Sequence, residues 1–520
     1  MPLRLLAAAV AGLALSLAYE PVALAYLMPF SLAVYALVTR GLRARGGFAV
    51  GLVYGIAFYY VHIWWMSSSI GTDAWAALAG IEAFFYGLLG AAATVLHRLR
   101  AWPAWLALAW VAMEVVRSGW PFSGMPWGRL GFGVVDTPYA PALAYVGVNG
   151  VSLLVAGTGF LLARLVLAAG EQRLFAAAGL VGVVAVATVP AVVPWTLPTT
   201  GETTVAAVQG DVPGPGNDIL YDPDGVTENH VVATERLAAE VAAGRAPAPD
   251  FVLWPENSTA RDPFRSEVVH DGIERAVAAA GVPVVVGAIV DDGPDHILNQ
   301  GIVWDPVTGA GERYTKWHPV PYGEYIPFRA YLSGLFGRLD RIPRDMKSGS
   351  RTEPLRVAGV DVADAICFDI AYDDGLTAQL TDGAELMTVQ TSNASFIFTD
   401  QIEQQFAITR ARALESGKYV VVAAVNGITG VIAPDGSVVD RTQRLTQDVV
   451  VETVDLRSGV TPGVRVGRAL ATVAPAATLL GVLLGVVVGR RDRRDRRRGP
   501  DGDAPDDDAA TAPEEPACVS

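Results

Sequence analysis

Three residues between positions 256 and 367 have the side chains that acyl-transfer chemistry needs. They are a glutamate, a lysine and a cysteine, at Glu256, Lys316 and Cys367. A thiol has a pKa of about 8.5, so a nearby base has to activate it at neutral pH. Glu256 can take that proton and return it to a leaving group, and Lys316 can stabilise the oxyanion of a tetrahedral intermediate. Together the three residue types indicate nucleophilic catalysis through a cysteine.

Each of these residues also has an ordinary structural explanation. A lone cysteine is more often a small buried apolar residue than a nucleophile, and loop glutamates and lysines are usually solvated. The only other cysteine, Cys518, is third from the end of a charged tail, so no disulfide framework is expected. The six histidines show no spacing typical of a metal site, and we predict neither a metal nor a cofactor.

Two further acids lie close to these residues in sequence. Glu324 follows Lys316 by eight residues and can orient the lysine or assist proton transfer, unless it is simply a solvated loop acid. Asp369 follows Cys367 by two residues and is a candidate for shaping the same pocket.

The elements that would position these residues have an alternating α/β pattern over residues 197–460. Glu256 and Cys367 come at strand ends, where α/β folds usually place reacting groups. Strands are predicted at 203–209, 251–254, 283–290, 301–304, 362–367, 386–390 and 419–425, and helices at 226–243, 264–280 and 401–416.

The rest of the chain has the composition of a membrane protein. The hydrophobic content of the whole chain, 52%, and its mean hydropathy of +0.35 are too high for an ordinary soluble enzyme. Seven spans are predicted within 1–195, at 4–18, 22–39, 48–67, 75–97, 101–117, 142–168 and 174–194, and an eighth at 468–489. Residues 490–520 are predicted to be a cytoplasmic arginine cluster and a disordered acidic tail.

The arginines predict how these spans are oriented. They cluster after the second, fourth, sixth and eighth spans, at 40–45, 98–100, 164–173 and 490–498. By the positive-inside rule both termini are cytoplasmic and the α/β domain lies outside. Residues 1–200 carry a net charge of +4 and the remainder −18, which argues against nucleic-acid binding.

One outer loop, at 117–141, is rich in tryptophan, glycine and proline. It is either an interfacial aromatic belt or a segment that contacts lipid, or re-enters the membrane, at the mouth of the site. Just before it, Glu114 and Arg117 lie about one helical turn apart. Charges at membrane depth usually pair or serve function.

Glu256, Lys316 and Cys367 resemble the Glu–Lys–Cys set of the nitrilase superfamily. With seven spans before that domain and one after it, the chain resembles the apolipoprotein N-acyltransferases, a membrane family of the superfamily. The resemblance covers about residues 1–490 and is carried by the stretches 114–120, 125–127, 254–256, 316–327, 366–369, 392–393, 412–415 and 426–429.

The resemblance implies a nitrilase-like domain of αββα type beside a bundle of eight transmembrane helices. It implies Glu256 as general base, Lys316 as oxyanion donor and Cys367 as the acylated nucleophile. Glu324 would be an accessory acid and Asn299 a pocket asparagine. The expected reaction moves an acyl chain from a phospholipid, through a thioester, to the α-amino group of the N-terminal diacylglyceryl-cysteine of an apolipoprotein. The location implied is the bacterial cytoplasmic membrane, with the catalytic domain on its outer face.

Two other functions stay open at this point. One is a membrane-anchored amidase of the same superfamily, which would hydrolyse small amides. The other is a transporter or scaffold that carries an inactive hydrolase domain. Nothing in the sequence requires more than a monomer.

Overall fold

The computed structural model describes residues 1–332 and 342–498. The predicted disordered tail at 499–520, with Cys518, lies outside the described residues. The N-terminal part is a helical bundle made of α1 (Pro2–Ser16), α2 (Leu27–Thr39), α3 (Ala44–His62), α4 (Trp65–Ser69), α5 (Thr72–Leu96), α6 (Trp102–Gly119), α7 (Leu143–Leu167) and α8 (Glu171–Thr188).

Every predicted span coincides with a helix. Five helical segments of the described chain are long and apolar enough to cross a membrane: Ala44–His62, Thr72–Leu96, Ala140–Leu167, Glu171–Ala191 and Pro462–Asp492. The first two helices are apolar but shorter, with 15 and 13 residues. The chain therefore has the helices of a multi-pass membrane protein, and eight crossings stay a prediction.

Glycines bring α3 and α5 into close contact. Gly47, Gly51 and Gly55 lie four residues apart on α3. A Cβ on Gly51 would stand 2.1 Å from the carbonyl oxygen of Tyr86, and one on Gly47 would stand 2.4 Å from that of Gly90. Small residues at such spacing let membrane helices approach backbone to backbone. This contact fixes the position of α5, which later forms a wall of the active-site cavity.

The α/β part contains two β-sheets. The strands in chain order are β1 (Thr199–Gln209), β2 (Phe251–Leu253), β3 (Val284–Asp291), β4 (His296–Asp305), β5 (Gly309–Thr315), β6 (Asp345–Met346), β7 (Leu355–Val357), β8 (Val360–Ile366), β9 (Leu386–Thr391), β10 (Val420–Ala424), β11 (Gly430–Ile432), β12 (Val438–Arg441) and β13 (Asp448–Arg457). Among the described residues, one sheet has the order β13-β1-β2-β3-β4-β5, with β6 beside β4. The other has the order β12-β11-β10-β9-β8-β7.

The two sheets pack face to face, with helices on both outer faces. Their shared core includes Leu253 and Val285 from the first sheet and Ile366 and Val421 from the second. The helices in this part are α9 (Pro223–Ala242), α10 (Glu267–Ala280), α11 (Arg329–Leu332), α12 (Asp374–Thr381), α13 (Gln401–Ser416) and, after the last strand, α14 (Pro462–Arg498). Helices α9 and α10 cover the first sheet, and α12 and α13 cover the second. The predicted α/β fold is confirmed, and its layers have the order αββα.

The bundle packs against α13. One continuous apolar core runs from bundle residues such as Trp110 through Ile408 and Leu414 of α13 to Ala365 and Val389 of the second sheet. Helix α14 then returns to the bundle and contacts α6 and α7. The loops at this end of the sandwich are therefore held against the bundle.

Candidate active site

The three residues predicted for catalysis come together at one end of the sandwich. Glu256 lies three residues beyond β2, Lys316 directly follows β5, and Cys367 directly follows β8. The first two belong to one sheet and the cysteine to the other, so the pocket lies between the ends of the two sheets.

Lys316 joins two carboxylates inside this pocket. Its Nζ donates to Glu256 Oε1 at 3.0 Å and to Glu324 Oε1 at 2.6 Å. Lys316 is fully buried and Glu256 is 3% exposed. Burial alone would lower the pKa of Lys316, but the two carboxylates outweigh it and raise this pKa well above its ordinary value. Lys316 is therefore a fixed ammonium at neutral pH, as an oxyanion donor has to be.

Glu256 is held by two further donors. Asn299 Nδ2 donates to Oε1 at 2.7 Å, and the backbone N–H of Ser392 donates to Oε2 at 2.9 Å. Glu324 is fixed in a similar way, since its Oε2 accepts from the backbone N–H of Val320 at 2.8 Å. Asn299 and Glu324 thus both lie in the pocket, where they orient charged groups.

Asp369 ties the turn after Cys367 to the segment after Lys316. Its carboxylate accepts from the backbone N–H groups of Trp317 at 3.2 Å and His318 at 2.8 Å. It also accepts from the hydroxyl of Tyr314 at 3.1 Å. Asp369 therefore shapes the pocket by holding two chain segments together, while Lys316 has its ion pairs with other acids.

Cys367 occupies a sharp turn. Its φ of +54° lies in the left-handed region, which costs a non-glycine residue about 1–3 kcal/mol. The turn directs the chain from β8 into a 3₁₀ segment, Cys367–Ala371. Burial raises the pKa of the Cys367 thiol to about 12, with the Glu256 charge acting in the same direction and Lys316 opposing it. The resting thiol is protonated, so it needs a base at the moment of attack.

Beyond the thiol lies a cavity of about 400 Å³. The α/β part contributes Cys367, Phe368 and Phe396 to its wall. The bundle supplies much of the rest, with Trp65 and Met66 of α4, Ala74, Ala77, Leu78 and Ile81 of α5, and Phe122, Met125 and Trp127 of the loop that follows α6. The nucleophile therefore stands between a charged pocket and a mostly apolar cavity.

The outer loop lines this cavity, and its contact with lipid stays a prediction. Trp127 stacks on Phe368 with ring centroids 5.8 Å apart. Arg117 fixes the loop by donating to the carbonyl oxygens of Met125 and Trp127, both at 2.8 Å.

Glu114 and Arg117, which lie one helical turn apart, have different partners. Arg117 forms its ion pair with Glu82 of α5, at 3.3 Å. Glu114 instead accepts from the indole N–H of Trp110 and the backbone N–H of Leu130, both at 2.9 Å. Helix α5 packs against α6 and places the Glu82 carboxylate beside the Arg117 guanidinium. Glu82 is therefore the partner of Arg117, although Glu114 lies only one turn away on the same helix.

Sequence reasoning missed the polar contacts that join the bundle to the α/β part. Asp373 accepts from Arg129 of the outer loop at 2.8 Å and from Arg412 of α13 at 2.7 Å. These two guanidiniums outweigh burial and hold the pKa of Asp373 well below its ordinary value. Gln404 accepts from the indoles of Trp65 at 3.0 Å and Trp127 at 2.7 Å. Arg412 lies within the stretch 412–415 noted above, which was the available signal.

Two family models match the chain. Residues 11–161 match the apolipoprotein N-acyltransferase N-terminal domain, and residues 184–460 match the carbon-nitrogen hydrolase family. An apolipoprotein N-acyltransferase of Mycolicibacterium smegmatis is 35% identical over 91% of this chain and 84% of its own length. One from Ralstonia nicotianae is 31% identical over 92% of each chain. Among solved structures, an amidase from Nesterenkonia sp. aligns with a TM-score of 0.37 and 16% identity, over 52% of this chain and 96% of the amidase.

Proposed function

Because this chain belongs to the apolipoprotein N-acyltransferase family, we propose that it moves an acyl chain from a phospholipid to the N-terminus of apolipoproteins. The acceptor is the α-amino group of their N-terminal diacylglyceryl-cysteine. The observation that carries the proposal is the cavity of about 400 Å³ that joins Cys367 to the apolar faces of the bundle. Such a cavity suits a hydrocarbon chain, because the burial of each methylene away from water stabilises the bound state.

The first half of the reaction acylates the enzyme. Glu256 takes the proton of the Cys367 thiol while Sγ attacks the carbonyl carbon of a phospholipid ester. The Lys316 ammonium stabilises the oxyanion that forms. When the tetrahedral intermediate collapses, the ester C–O bond breaks and Glu256 returns the proton to the departing oxygen. The products are a thioester on Cys367 and a lysophospholipid.

The second half transfers the chain. The neutral α-amine of the acceptor attacks the thioester carbonyl, and Lys316 again stabilises the oxyanion. Glu256 takes a proton from the attacking nitrogen and delivers it to Sγ as the C–S bond breaks. The products are an amide and the free thiol, so the same base and the same oxyanion donor serve both halves.

The surrounding residues keep these groups in their places. Asn299 and the Ser392 N–H orient the Glu256 carboxylate. Glu324 is the second carboxylate that binds the Lys316 ammonium, and Asp369 holds the segment that follows Lys316. Preorganised charges of this kind need no rearrangement as the reaction proceeds.

The arrangement in the membrane is part of the proposal. A bundle at 1–195 and an eighth span at 468–489 would enclose a catalytic domain, residues 197–460, on the outer face of the cytoplasmic membrane. The termini, with the arginines that follow the eighth span, would be cytoplasmic. Both substrates have their reacting groups at a membrane surface, and the cavity between the bundle and the α/β part would receive the tail from the lipid. A monomer is part of the same proposal.

Product analysis tests the function. The purified protein would be incubated with phospholipid vesicles and a diacylglyceryl lipopeptide, or with a small amide in place of the lipopeptide. We expect N-acylated lipopeptide and lysophospholipid in equal amounts, and no ammonia from the amide. Release of ammonia without lipopeptide acylation would instead identify an amidase, and no product from either substrate would favour an inactive scaffold.

A further inference from the structure

A polar cluster lies in the otherwise apolar space between the two sheets. It consists of Asp364 on β8 with Thr388 and Gln390 on β9, which is the neighbouring strand. Asp364 and Gln390 are fully buried and Thr388 is 1% exposed. Buried polar groups are costly unless they are hydrogen-bonded, so each atom in this cluster calls for a partner.

Two of the contacts in the cluster are conventional. The Thr388 hydroxyl donates to Asp364 Oδ1 at 2.7 Å. Gln390 Nε2 crosses to the other sheet and donates to the carbonyl oxygen of Trp254 at 2.6 Å. That carbonyl lies two residues before Glu256.

The other oxygens of the two side chains have no donor. Among the described residues, neither Asp364 Oδ2 nor Gln390 Oε1 has a hydrogen-bond partner. Both approach the same point above Gly301 of β4. They stand 2.5 and 2.3 Å, respectively, from the position that a Cβ on this glycine would take. Two acceptor oxygens therefore face the same buried space, which a side chain on residue 301 would fill.

Rotating the Gln390 amide does not remove the conflict. The rotation would offer an N–H to Asp364, but it would also bring the amide oxygen to about the present 2.6 Å separation from the Trp254 carbonyl oxygen. No described Lys, Arg or His forms an ion pair with Asp364 that would neutralise it. The titratable groups that act on it are Asp369, an acid, and Tyr314, a phenol, so neither supplies a positive charge.

We propose that Asp364 is a protonated carboxylic acid whose hydroxyl donates to Gln390 Oε1, and that it is a positioning residue for Glu256. The proton completes a chain of hydrogen bonds from Asp364 through Gln390 to Trp254. In agreement with this, burial raises the pKa of Asp364 to about 7. The inference rests on the proposed function only in that Glu256 is the base whose position matters.

These hydrogen bonds affect the position of Glu256 through two segments of the polypeptide. Gln390 fixes the end of β2 through the Trp254 carbonyl, and Glu256 follows that carbonyl by two residues. The same strand, β9, leads two residues later to Ser392, whose N–H donates to Glu256 Oε2. A shift of Gln390 would therefore move the base relative to Cys367 without removing any reacting group.

The test combines a spectrum with a pair of variants. In infrared difference spectra of wild type minus Asp364→Asn, recorded at pH 6 without substrate, we expect the C=O stretch of a buried carboxylic acid. In kinetic measurements, Asp364→Asn should keep the rate of Cys367 acylation within about threefold, because its amide can accept from Thr388 and donate to Gln390. Asp364→Leu should lower that rate at least about tenfold, the value of one buried hydrogen bond, with KM for phospholipid unchanged.

Two results would overturn the proposal. One is a difference spectrum with carboxylate bands and no carboxylic-acid band. The other is an Asp364→Asn variant that acylates as slowly as Asp364→Leu. Should the leucine variant not fold, the spectrum and the asparagine variant still decide. The spectrum also separates this inference from the proposed function, because it needs no substrate and stands even if the wild type never forms an acyl-enzyme.

Discussion

Cys367 stands between two regions that are built in opposite ways. On one side, Glu256, Lys316 and Glu324 form a charged pocket in which every reacting group is held by short hydrogen bonds. On the other side, α4, α5 and the outer loop form a cavity with few polar groups. In the proposed mechanism, the first region determines whether the thiol reacts, and the second determines which acyl chain it receives. The two properties should therefore change independently on mutation.

The charged pocket shows how three ionised groups can share a buried site. The two carboxylates share one ammonium, and removal of a buried charge from such a set is usually costly because its partners stay buried. Asn299 donates a second hydrogen bond to Glu256 Oε1, and the backbone N–H groups of Ser392 and Val320 bond the remaining carboxylate oxygens. These hydrogen bonds hold the carboxylates in position and also offset the cost of burying their charges.

The largest effect is expected from the base. Glu256→Gln keeps the shape of the side chain but cannot take the thiol proton, and Lys316 retains Glu324 as its counter-ion. Acylation of Cys367 should fall about 10²–10⁴-fold, as measured by single-turnover release of lysophospholipid. Glu267→Gln, at an exposed position that opens α10, is the matched control and should have no effect. A Glu256→Gln rate equal to that of wild type would remove Glu256 from the mechanism.

The contact between the bundle and the α/β part comes next. Arg129 reaches from the outer loop to Asp373, is 2% exposed, and also donates to Asn149. Arg129→Met should lower the free energy of unfolding by about 3 kcal/mol, because it leaves buried polar groups without their partner. Thermal unfolding in nanodiscs would measure the effect as a lower midpoint.

Arg410 provides the control for this change. It also joins the α/β part to the outer loop of the bundle, but its partner Asp136 is 60% exposed. Arg410→Met should therefore lower the free energy of unfolding by less than about 1 kcal/mol. Equal losses in the two variants would mean that burial of the contact does not determine its contribution.

A smaller effect is expected from the cavity wall. Leu78→Trp on α5 narrows the cavity and should shift the preference toward shorter acyl chains. Each methylene that no longer fits should lower kcat/KM about fourfold, since burying one methylene is worth ~0.8 kcal/mol. The measurement is a competition among phospholipids of different chain length. Leu88→Trp lies on the same helix at a position that is 47% exposed, and should leave the preference unchanged. A uniform loss for all chains would contradict the separation of the two regions.

The smallest effect is a pH dependence of stability that arises from Asp364. Asp364 has a raised pKa of about 7, so the folded protein binds a proton there more tightly than the unfolded chain does. The stabilisation is complete below the ordinary aspartate pKa of about 4 and is lost as the pH rises through about 7. The unfolding midpoint of wild type should therefore fall relative to that of Asp364→Asn between pH 5 and pH 8. Parallel midpoints over this range would contradict it.

The charged pocket could be predicted because its signals are local. Glu256 and Cys367 lie at the ends of strands that the sequence predicts, and Glu324 lies close to Lys316 in sequence. Their geometry was not local, since Lys316 follows the strand β5, which the sequence pattern did not reveal. Its short polar stretch, Gly309–Thr315, forms a strand because β4 supplies the partner.

The cavity and the contacts around it depend on tertiary structure. The hydrophobic pattern of α5 predicts a membrane helix but not that Leu78 and Ile81 face a cysteine nearly 300 residues away in sequence. Helical spacing favoured Glu114 for Arg117, whereas packing of α5 against α6 presents Glu82. In the sequence, Asp364 and Gln390 look like ordinary residues of two strands. Only the structure shows that their side-chain oxygens occupy the same space beside Gly301.

The most direct test of the account is the intact mass of the purified protein after incubation with phospholipid, with Cys367→Ala as comparison. We predict that the wild type gains the mass of one acyl chain, that neutral hydroxylamine removes it, and that the variant gains nothing. A wild type that never gains an acyl chain, whatever the phospholipid, would contradict the thioester mechanism. An adduct that persists in Cys367→Ala would show that the nucleophile is another residue.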